Sequence, residues 1–319
     1  MERRRALLAA VTLVAATARC GDGPMAPGAG AAGSITAADI RHRVGLLADD
    51  SMRGRWTPSP ELEEAASYVA GEFARLGLRG AGPGGEFILR YPAVGGSAPN
   101  VIGVLEGGDS GLAGEIVLVV AHMDHKGVDV PVNGDSIYNG ADDNASGTAG
   151  MLEIAEAFAE LNPRPRRSVA FIAFSGEERG LWGSTNYAGD PAIPLEQTVA
   201  VINLDMISRN DPGSVGVTGL DSSSLGAVFG DVARAHRELG LAALPFVDVG
   251  RSDHQPFAQR AVPYLVFFAG LHQDYHRPSD TVDRINADKA ARVARLAFYA
   301  ALEIASQAAR PVWHGPPAR

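Results

Sequence analysis

The sequence predicts an α/β fold, a three-layer α/β/α sandwich around a largely parallel, mixed sheet. Continuous apolar runs, which suit strands buried on both faces, alternate along the chain with segments whose apolar residues recur at helical spacing. Polar residues capable of catalysis follow directly after several of the apolar runs. Alternation of this kind favours helices packed on both faces of a parallel sheet.

Each predicted element follows from its own pattern. Apolar runs predict strands over residues 116–120, 169–174, 199–204 and 262–268. Helical spacing predicts helices over residues 60–78, 146–161, 225–239 and 287–308. The first of these helices has a sound start, because Ser59 suits the N-cap and Pro60 suits the first helical position.

Composition limits the class of protein. The 319 residues carry a net charge of −9 and are 46% hydrophobic, which allows a sizeable core. No block of lysines or arginines follows residue 5, so nucleic acid is not an expected partner. The single cysteine, Cys20, excludes an intrachain disulfide and a cysteine-rich zinc site. We expect one folded domain over residues 34–310 and a C-terminal tail over residues 311–319, and the number of subunits stays open.

The N-terminal segment is typical of an export signal. Three arginines at residues 3–5 precede an apolar stretch, residues 6–18, that is too short to span a bilayer comfortably. We expect a signal peptide over residues 1–18, with cleavage near 18–20, and a flexible Gly-, Ala- and Pro-rich linker over residues 19–33. Cys20 also resembles a bacterial lipoprotein start, although Arg19 departs from that pattern. The expected location is periplasmic or secreted, and a lipid tether to the membrane through Cys20 stays open.

Five candidate functional residues follow the ends of apolar runs. In open α/β sheets, ligands bind beyond the carboxyl ends of the strands, so the pattern places these side chains at one edge of one sheet: His122, Glu177, Glu178, Asp205 and His276. Taken singly, most of them have an ordinary reading as loop residues, and the nearby Asp142-Asp143-Asn144 suits a turn or a helix cap. Asp205 is harder to dismiss, because it ends an apolar run where a carboxylate needs a partner.

Taken together, these residues indicate a hydrolytic metal site. Two histidines and several carboxylates, without cysteine, match a catalytic zinc site rather than a structural one. Two zinc ions about 3.5–4 Å apart can share one bridging carboxylate and one bridging water. One further carboxylate would then remain as a base for that water.

Several separated stretches resemble the zinc aminopeptidases of peptidase family M28. The resemblance spans roughly residues 40–305 and rests on the following motifs: Ala121-His122-Met123-Asp124, Gly140-Ala141-Asp142-Asp143-Asn144-Ala145-Ser146-Gly147, Ser175-Gly176-Glu177-Glu178-Arg179-Gly180-Leu181, Asn203-Leu204-Asp205-Met206-Ile207, Ser252-Asp253-His254 and Asp274-Tyr275-His276-Arg277-Pro278-Ser279-Asp280-Thr281. It implies a zinc-exopeptidase type of fold and two zinc ions per chain.

The resemblance also implies roles for individual residues. The implied metal ligands are His122 and Asp205 for the first zinc, Glu178 and His276 for the second, and Asp143 as the bridge. Glu177 falls at the position of the general base, Asp124 at that of a carboxylate orienting His122, and Tyr275 either steadies the oxyanion or packs. His125, His272 and Asp142 match no ligand position, and His254 is expected to support the wall of the site.

The implied function is hydrolysis of the N-terminal bond of peptides. A metal-lined cleft rich in carboxylates attracts an α-ammonium group, although Arg179 or Arg277 could instead clamp a carboxylate. Three alternatives stay open: a carboxypeptidase or dipeptidase specificity, a glutaminyl cyclase on the same fold, and a non-catalytic binding domain. The Asp-Asp-Asn-Ala-Ser-Gly stretch fits the hydrolase pattern better than the cyclase.

Overall fold

A computed structural model describes residues 28–246 and 252–315. Within these ranges nine strands form one sheet: β1 (Arg79–Gly80), β2 (Ile88–Ala93), β3 (Gly96–Leu105), β4 (Ile116–His122), β7 (Ser168–Phe174), β8 (Thr198–Asp205), β9 (Ser214–Thr218), β10 (Ala242–Pro245) and β11 (Tyr264–Phe268). Their order in the sheet is β1-β3-β7-β4-β8-β11-β9-β10, with β2 paired to β3. A separate hairpin consists of β5 (Gly127–Val132) and β6 (Asp135–Tyr138).

The four strands predicted from apolar runs form the parallel centre of the sheet. β4 pairs in parallel with β7 and β8, and β11 pairs in parallel with β8. Every residue of β4 and β7 is buried, as expected for strands covered on both faces. Antiparallel β3 and β9 flank this centre, so the prediction of a largely parallel, mixed sheet is confirmed.

Helices cover both faces of the sheet. They are α1 (Ala29–Ala32), α2 (Ala37–Leu47), α3 (Pro60–Arg75), α4 (Gly147–Ala159), α5 (Trp182–Gly189), α6 (Leu225–Ala235), α7 (Gln255–Ala258) and α8 (Ala287–Ser306). Val117 and Val119 of β4 belong to the larger apolar core beneath α2, α3, α4, α6 and α8. Leu118 and Val120 point the other way, into a smaller core with α5 and α7. The alternation along one strand therefore produces the predicted three layers.

The structure differs from the sequence prediction mainly at the edges of the sheet. Strands β1, β2, β3, β9 and β10 were not predicted. β9, for example, alternates buried and half-buried residues and so lacks a continuous apolar run, and the apolar run at the end of β3 is interrupted by Gly103. The predicted helix over 225–239 ends at Ala235, where single-turn structure takes over. Within the range predicted as a linker, residues 19–33, the structure contains the short helix α1, whose Ala31 and Ala32 are buried in the core.

The ends of the chain lie partly beyond what the structure describes. The predicted export signal and Cys20 lie outside the described residues. Part of the predicted tail is ordered against the domain, because Trp313 forms a backbone bridge with Ser223 and packs near Tyr264. In the described ranges, no helix combines the length and apolar character needed to cross a bilayer.

Candidate metal centre

The parallel strands bring the predicted site residues to one edge of the sheet. His122 is the last residue of β4, and Asp205 is the last residue of β8. Glu177 and Glu178 follow shortly after the end of β7, and His276 lies in the loop after β11. Asp143 lies in a turn, Ala141–Ser146, that leads into α4. All six side chains converge because these strands run in the same direction and end together.

Asp143 lies between two groups of side chains. Its Oδ1 is 3.6 Å from His122 Nε2, which in turn is 3.7 Å from Asp205 Oδ1. Its Oδ2 is 3.2 Å from His276 Nε2, which is 3.0 Å from Glu178 Oε1. Donor atoms that share a tetrahedral zinc ion with bonds of about 2.0–2.1 Å lie roughly 3.3 Å apart. The separations on both sides of Asp143 therefore fit metal ligands.

Unsatisfied oxygen atoms support the same reading. Among the described residues, the buried Asp143 Oδ2 and Glu178 Oε1 have no hydrogen-bond partner. Buried polar atoms without a protein partner are rare, and a bound ion is one of their regular explanations. Two sets of donor atoms, each within 4.8 Å of one another, could hold a metal ion: His122, Glu177 and Asp205, and His125, Asp143 and Glu178.

Hydrogen bonds fix the turn that carries Asp143. The carboxylate of Asp280 accepts from the backbone N–H groups of Asp142 and Asp143 at 3.0–3.1 Å. The Asn144 side chain donates to the carbonyl of Leu204 and accepts from the N–H of Met206, which ties the turn to the end of β8. The carboxylate of Asp142 belongs to the same support, because its Oδ1 accepts from Ser208 N and Ser146 Oγ.

Arg55, which the sequence did not single out, holds the turn against β4. Its fully buried guanidinium donates to the carbonyls of Met123, Leu47, Asn139 and Gly140. Burial lowers the pKa of Arg55 to about 10, although nearby carboxylates oppose this shift. The guanidinium therefore remains charged at neutral pH. Its hydrogen bonds connect Met123, directly after β4, to Gly140, directly before the Asp143 turn.

Asp124 contacts both His122 and the backbone of Glu177. Its Oδ1 is 3.7 Å from His122 Nδ1 and accepts from the N–H of Glu177 at 3.2 Å. Its Oδ2 accepts from Thr57 Oγ1 at 3.0 Å. His122 Nδ1 itself lies within hydrogen-bond distance, 3.2 Å, of the backbone carbonyl of Asp124, whereas the carboxylate of Asp124 fixes the backbone of the predicted base.

The two adjacent glutamates have opposite electrostatic environments. Burial raises the pKa of Glu177 well above its usual value, and the negative charges of Asp205 and Asp253 act in the same direction. His122 lowers this pKa, but its effect is too small to cancel the others. Burial also acts to raise the pKa of Glu178, but the imidazoles of His125 and His276 outweigh it and lower the net value. Glu178 is therefore held as an anion, whereas Glu177 is poised to take up a proton.

A cavity of about 500 Å³ opens beside these groups. Its lining includes the polar side chains of His122, Asp143, Glu177 and Asp205, and Tyr275 and His254 also border it. The apolar part of the lining consists of Met206, Phe246, Val266, Phe268 and Leu271. The Tyr275 ring stacks on that of His276, with centroids 3.8 Å apart, and burial raises the pKa of its hydroxyl. The site therefore combines a polar, metal-ligating face with a pocket for an apolar group.

Comparison with known proteins identifies the family. The model of peptidase family M28 matches residues 100–301, which include all five predicted ligands. The chain belongs to peptidase family M28. The predicted family is thus confirmed, although the chain spans less than half the length of the YwaD aminopeptidase that it matches.

Several proteins similar to this chain are named as aminopeptidases. Aminopeptidase YwaD of Bacillus subtilis is 30% identical over 206 residues, a match that covers 62% of this chain and 43% of that protein. The crystal structure of a zinc aminopeptidase from Bacillus subtilis superposes with a TM-score of 0.55 at 27% identity, over 67% of this chain and 52% of that one. The aminopeptidase LapA of Legionella pneumophila shares the fold, with a TM-score of 0.69 at 20% identity over 87% of this chain and 73% of its own.

His125 lies beside two of the predicted ligands, although the M28 motifs gave it no ligand position. The sequence comparison gave His125 no ligand position, but the structure puts its Nδ1 3.0 Å from Glu178 Oε1 and 3.6 Å from Asp143 Oδ2. The only signal in the sequence was its position next to Asp124. His272, by contrast, lies outside both groups, with its Nε2 3.3 Å from Asp142 Oδ2.

Proposed function

We propose that this M28 family member is a di-zinc aminopeptidase that hydrolyses the N-terminal bond of peptides. The single observation that carries the proposal is the position of Asp143, whose two oxygen atoms face two separate histidine–carboxylate groups. Such an arrangement suits two metal ions that share one carboxylate. His122 and Asp205 would hold the first ion, Glu178 and His276 the second, and Asp143 both.

Glu177 is the proposed general base. When bound, a zinc pair lowers the pKa of water and polarises a scissile carbonyl. Glu177 lines the cavity, and its raised pKa lets it accept a proton from the attacking water and donate it to the departing amine. Asp124 keeps Glu177 in place through its backbone N–H. Tyr275 borders the same space, where its hydroxyl could donate to the carbonyl oxygen as negative charge develops.

The lining of the cavity favours a free α-amine over a C-terminal carboxylate. No lysine or arginine is among the described residues that line it. Arg179, one of the two arginines considered as a clamp, has its guanidinium stacked between two indoles, 4.4 Å from the Trp56 ring centroid and 4.5 Å from that of Trp182. The apolar wall further favours substrates whose N-terminal side chain is apolar, because burying such a group stabilises the complex.

Two measurements test this function. Elemental analysis of the purified protein should find close to two zinc ions per chain. A peptide beginning with leucine should lose that residue, whereas its N-acetylated form should resist, because acetylation removes the charged amine that anchors it. Mass spectrometry of both digests decides the outcome. Equal cleavage from the C-terminal end would reverse the assigned polarity, and loss of ammonia from an N-terminal glutamine would indicate a cyclase.

We also infer that the protein is exported. The positively charged start and the apolar stretch before Cys20 support this inference. Mass spectrometry of the native protein should find a mature chain that begins near Arg19 or Cys20. An added diacylglycerol mass on Cys20 would show a membrane-tethered lipoprotein, and an intact Met1 would refute export.

A further inference from the structure

His125 is a buried imidazole whose two nitrogen atoms are both unsatisfied. Its side chain is fully buried, and within the described part of the chain neither Nδ1 nor Nε2 has a hydrogen-bond partner. Each such group forfeits the hydrogen bonds that it would make with water. Binding of an ion is a regular reason for a buried polar atom without a protein partner, and His125 lies directly beside Glu178 and Asp143.

The distances around His125 are those of a ligand set. Its Nδ1 lies 3.0 Å from Glu178 Oε1 and 3.6 Å from Asp143 Oδ2. His276 Nε2, a predicted ligand, lies 3.0 Å and 3.2 Å from the same two oxygen atoms. All four separations are close to the roughly 3.3 Å expected between donors around a tetrahedral zinc ion. His125 is thus related to these oxygens in the same way as His276.

The surroundings of His125 hold its ring in this position. A Cβ atom on Gly140 would overlap the imidazole ring, so the backbone of the Asp143 turn packs directly on it. The backbone N–H of His125 donates to the carbonyl of Arg55 at 3.4 Å. The rings of His125 and His276 meet edge to face, with centroids 5.7 Å apart. The ring is therefore enclosed and directed at the second metal position.

We propose that His125 is a fourth protein ligand of the second metal position, through Nδ1, together with Asp143, Glu178 and His276. This inference rests on the metal centre of the proposed function, but not on the polarity of the peptide. The additional ligand makes the two metal positions unequal in their number of protein ligands. The second position would have four, whereas the first has three, namely His122, Asp143 and Asp205. A zinc ion with three protein ligands keeps an open site for water or substrate. The second position therefore binds zinc more tightly and fills first.

Zinc titration of the metal-free protein, in competition with a chromophoric chelator, tests whether the two positions differ in zinc affinity. Wild type should show a tighter and a weaker zinc site. His125→Ala and His125→Gln should weaken the tighter site by more than about 10²-fold, beyond the 10–100-fold typical of losing a group that only orients a ligand. The weaker site should change by only a few fold. His236→Ala is the matched control, since it removes an imidazole that stacks on Tyr299 outside the metal centre.

A direct measurement on wild type does not depend on whether the variants fold. In protein with ¹⁵N-labelled histidine, NMR distinguishes a metal-bound ring nitrogen from a protonated one. The first equivalent of zinc should shift Nδ1 of His125 to the metal-bound range while Nε2 stays protonated. A protonated Nδ1 in the zinc-loaded protein, or unchanged affinity in both variants, would overturn the proposal. If wild type binds no zinc at all, the proposed function fails with it; if it binds two ions and only the His125 results are negative, this inference alone fails.

Discussion

At the scale of single residues, neighbouring Glu177 and Glu178 differ most in their contacts with histidine. Glu178 Oε1 lies 3.0 Å from the ring nitrogens of both His125 and His276, whereas Glu177 lines the open cavity. Glu177→Gln should retain both zinc ions and lose about 10²–10⁴-fold in kcat, because an amide cannot accept the proton from water. Glu178→Gln should instead lower zinc affinity. Elemental analysis and peptide kinetics on both variants provide the measurement, and the reverse pattern would exchange the two roles.

The sequence predicted residues whose chemistry is recognisable from type and motif. His122, Asp205 and Glu178 follow buried strands, and the direction of those strands was enough to place them together. Arg55 could not be predicted in the same way, because its importance comes from four carbonyl groups that only the folded backbone assembles. His125 received no ligand role from the sequence, since motif matching assigns roles only to positions that the family pattern already contains.

At the scale of elements, the turn carrying Asp143 depends on Gly140. Its φ of 61° is left-handed, and an added Cβ would overlap both the carbonyl of Asp143 and the ring of His125. Gly140→Ala should cost about 2–5 kcal/mol, since overpacking of about 1–3 kcal/mol adds to backbone strain of about 1–2 kcal/mol. Zinc affinity should fall as well, because both neighbours belong to the metal centre.

Gly134→Ala is the matched control for this substitution. Gly134 has a φ of 89°, but an added Cβ would meet nothing within 4 Å. It should therefore cost only the strain of about 1–2 kcal/mol and leave zinc binding intact. Urea unfolding of the zinc-loaded proteins gives the stability difference. Equal effects of the two substitutions would show that the contacts of Gly140 with the metal centre are unimportant.

A buried ion network joins three helices on the larger core. Arg43 of α2 contacts Glu72 of α3 at 2.6 Å and Glu153 and Glu156 of α4 at 2.6 and 2.8 Å. Glu153 is almost completely buried, so Arg43→Met leaves its carboxylate without its partner and should cost about 3–5 kcal/mol at pH 7. The double substitution Arg43→Met, Glu153→Gln should recover much of this loss. Arg90→Met, which breaks an exposed pair with Glu63, should cost less than about 1 kcal/mol.

The pH dependence of the Arg43→Met variant follows from Glu153. Burial raises the pKa of this carboxyl in the folded protein, and Arg43 opposes the shift. Without Arg43 the folded pKa rises further above the unfolded value of about 4.3. The folded state then retains a proton that the unfolded state releases, so stability falls as pH rises through this interval. The deficit of the variant relative to wild type should therefore shrink below about pH 4. A deficit that is constant with pH would exclude Glu153 as its source.

At the scale of the whole molecule, the prediction of the fold succeeded at the centre of the sheet and failed at its edges. β4, β7, β8 and β11 are buried on both faces and produce apolar runs that the sequence shows directly. β3 and β9 depend on pairing with these central strands, and their order follows from tertiary contacts that no local pattern records. The sequence could place the candidate metal centre because most of its residues lie at or after the ends of these central strands.

The stability of the whole protein should depend on the metal, since the ligands come from four strand ends and the Asp143 turn. An ion present at about 100 times its dissociation constant adds about 2.7 kcal/mol of stability, and about 2 °C or more of Tm accompanies each kcal/mol in a domain of this size. Chelation should therefore lower Tm by roughly 5 °C or more, and restoring zinc should reverse the change. Differential scanning calorimetry with and without chelator measures both steps.

The effect of Asp143→Asn on Tm should have opposite signs in the metal-free and the zinc-loaded protein. In the absence of metal, burial and the nearby Glu178 raise the pKa of Asp143 despite the surrounding imidazoles, so its charge costs stability at pH 7. The raised folded pKa means that this cost appears as pH rises above the unfolded value of about 3.9. A neutral amide avoids the cost, and the metal-free variant should have a higher Tm than metal-free wild type. With zinc present the order should reverse, because the variant lacks the bridging carboxylate. A variant that is less stable in both forms would show that Asp143 has a structural role independent of the metal.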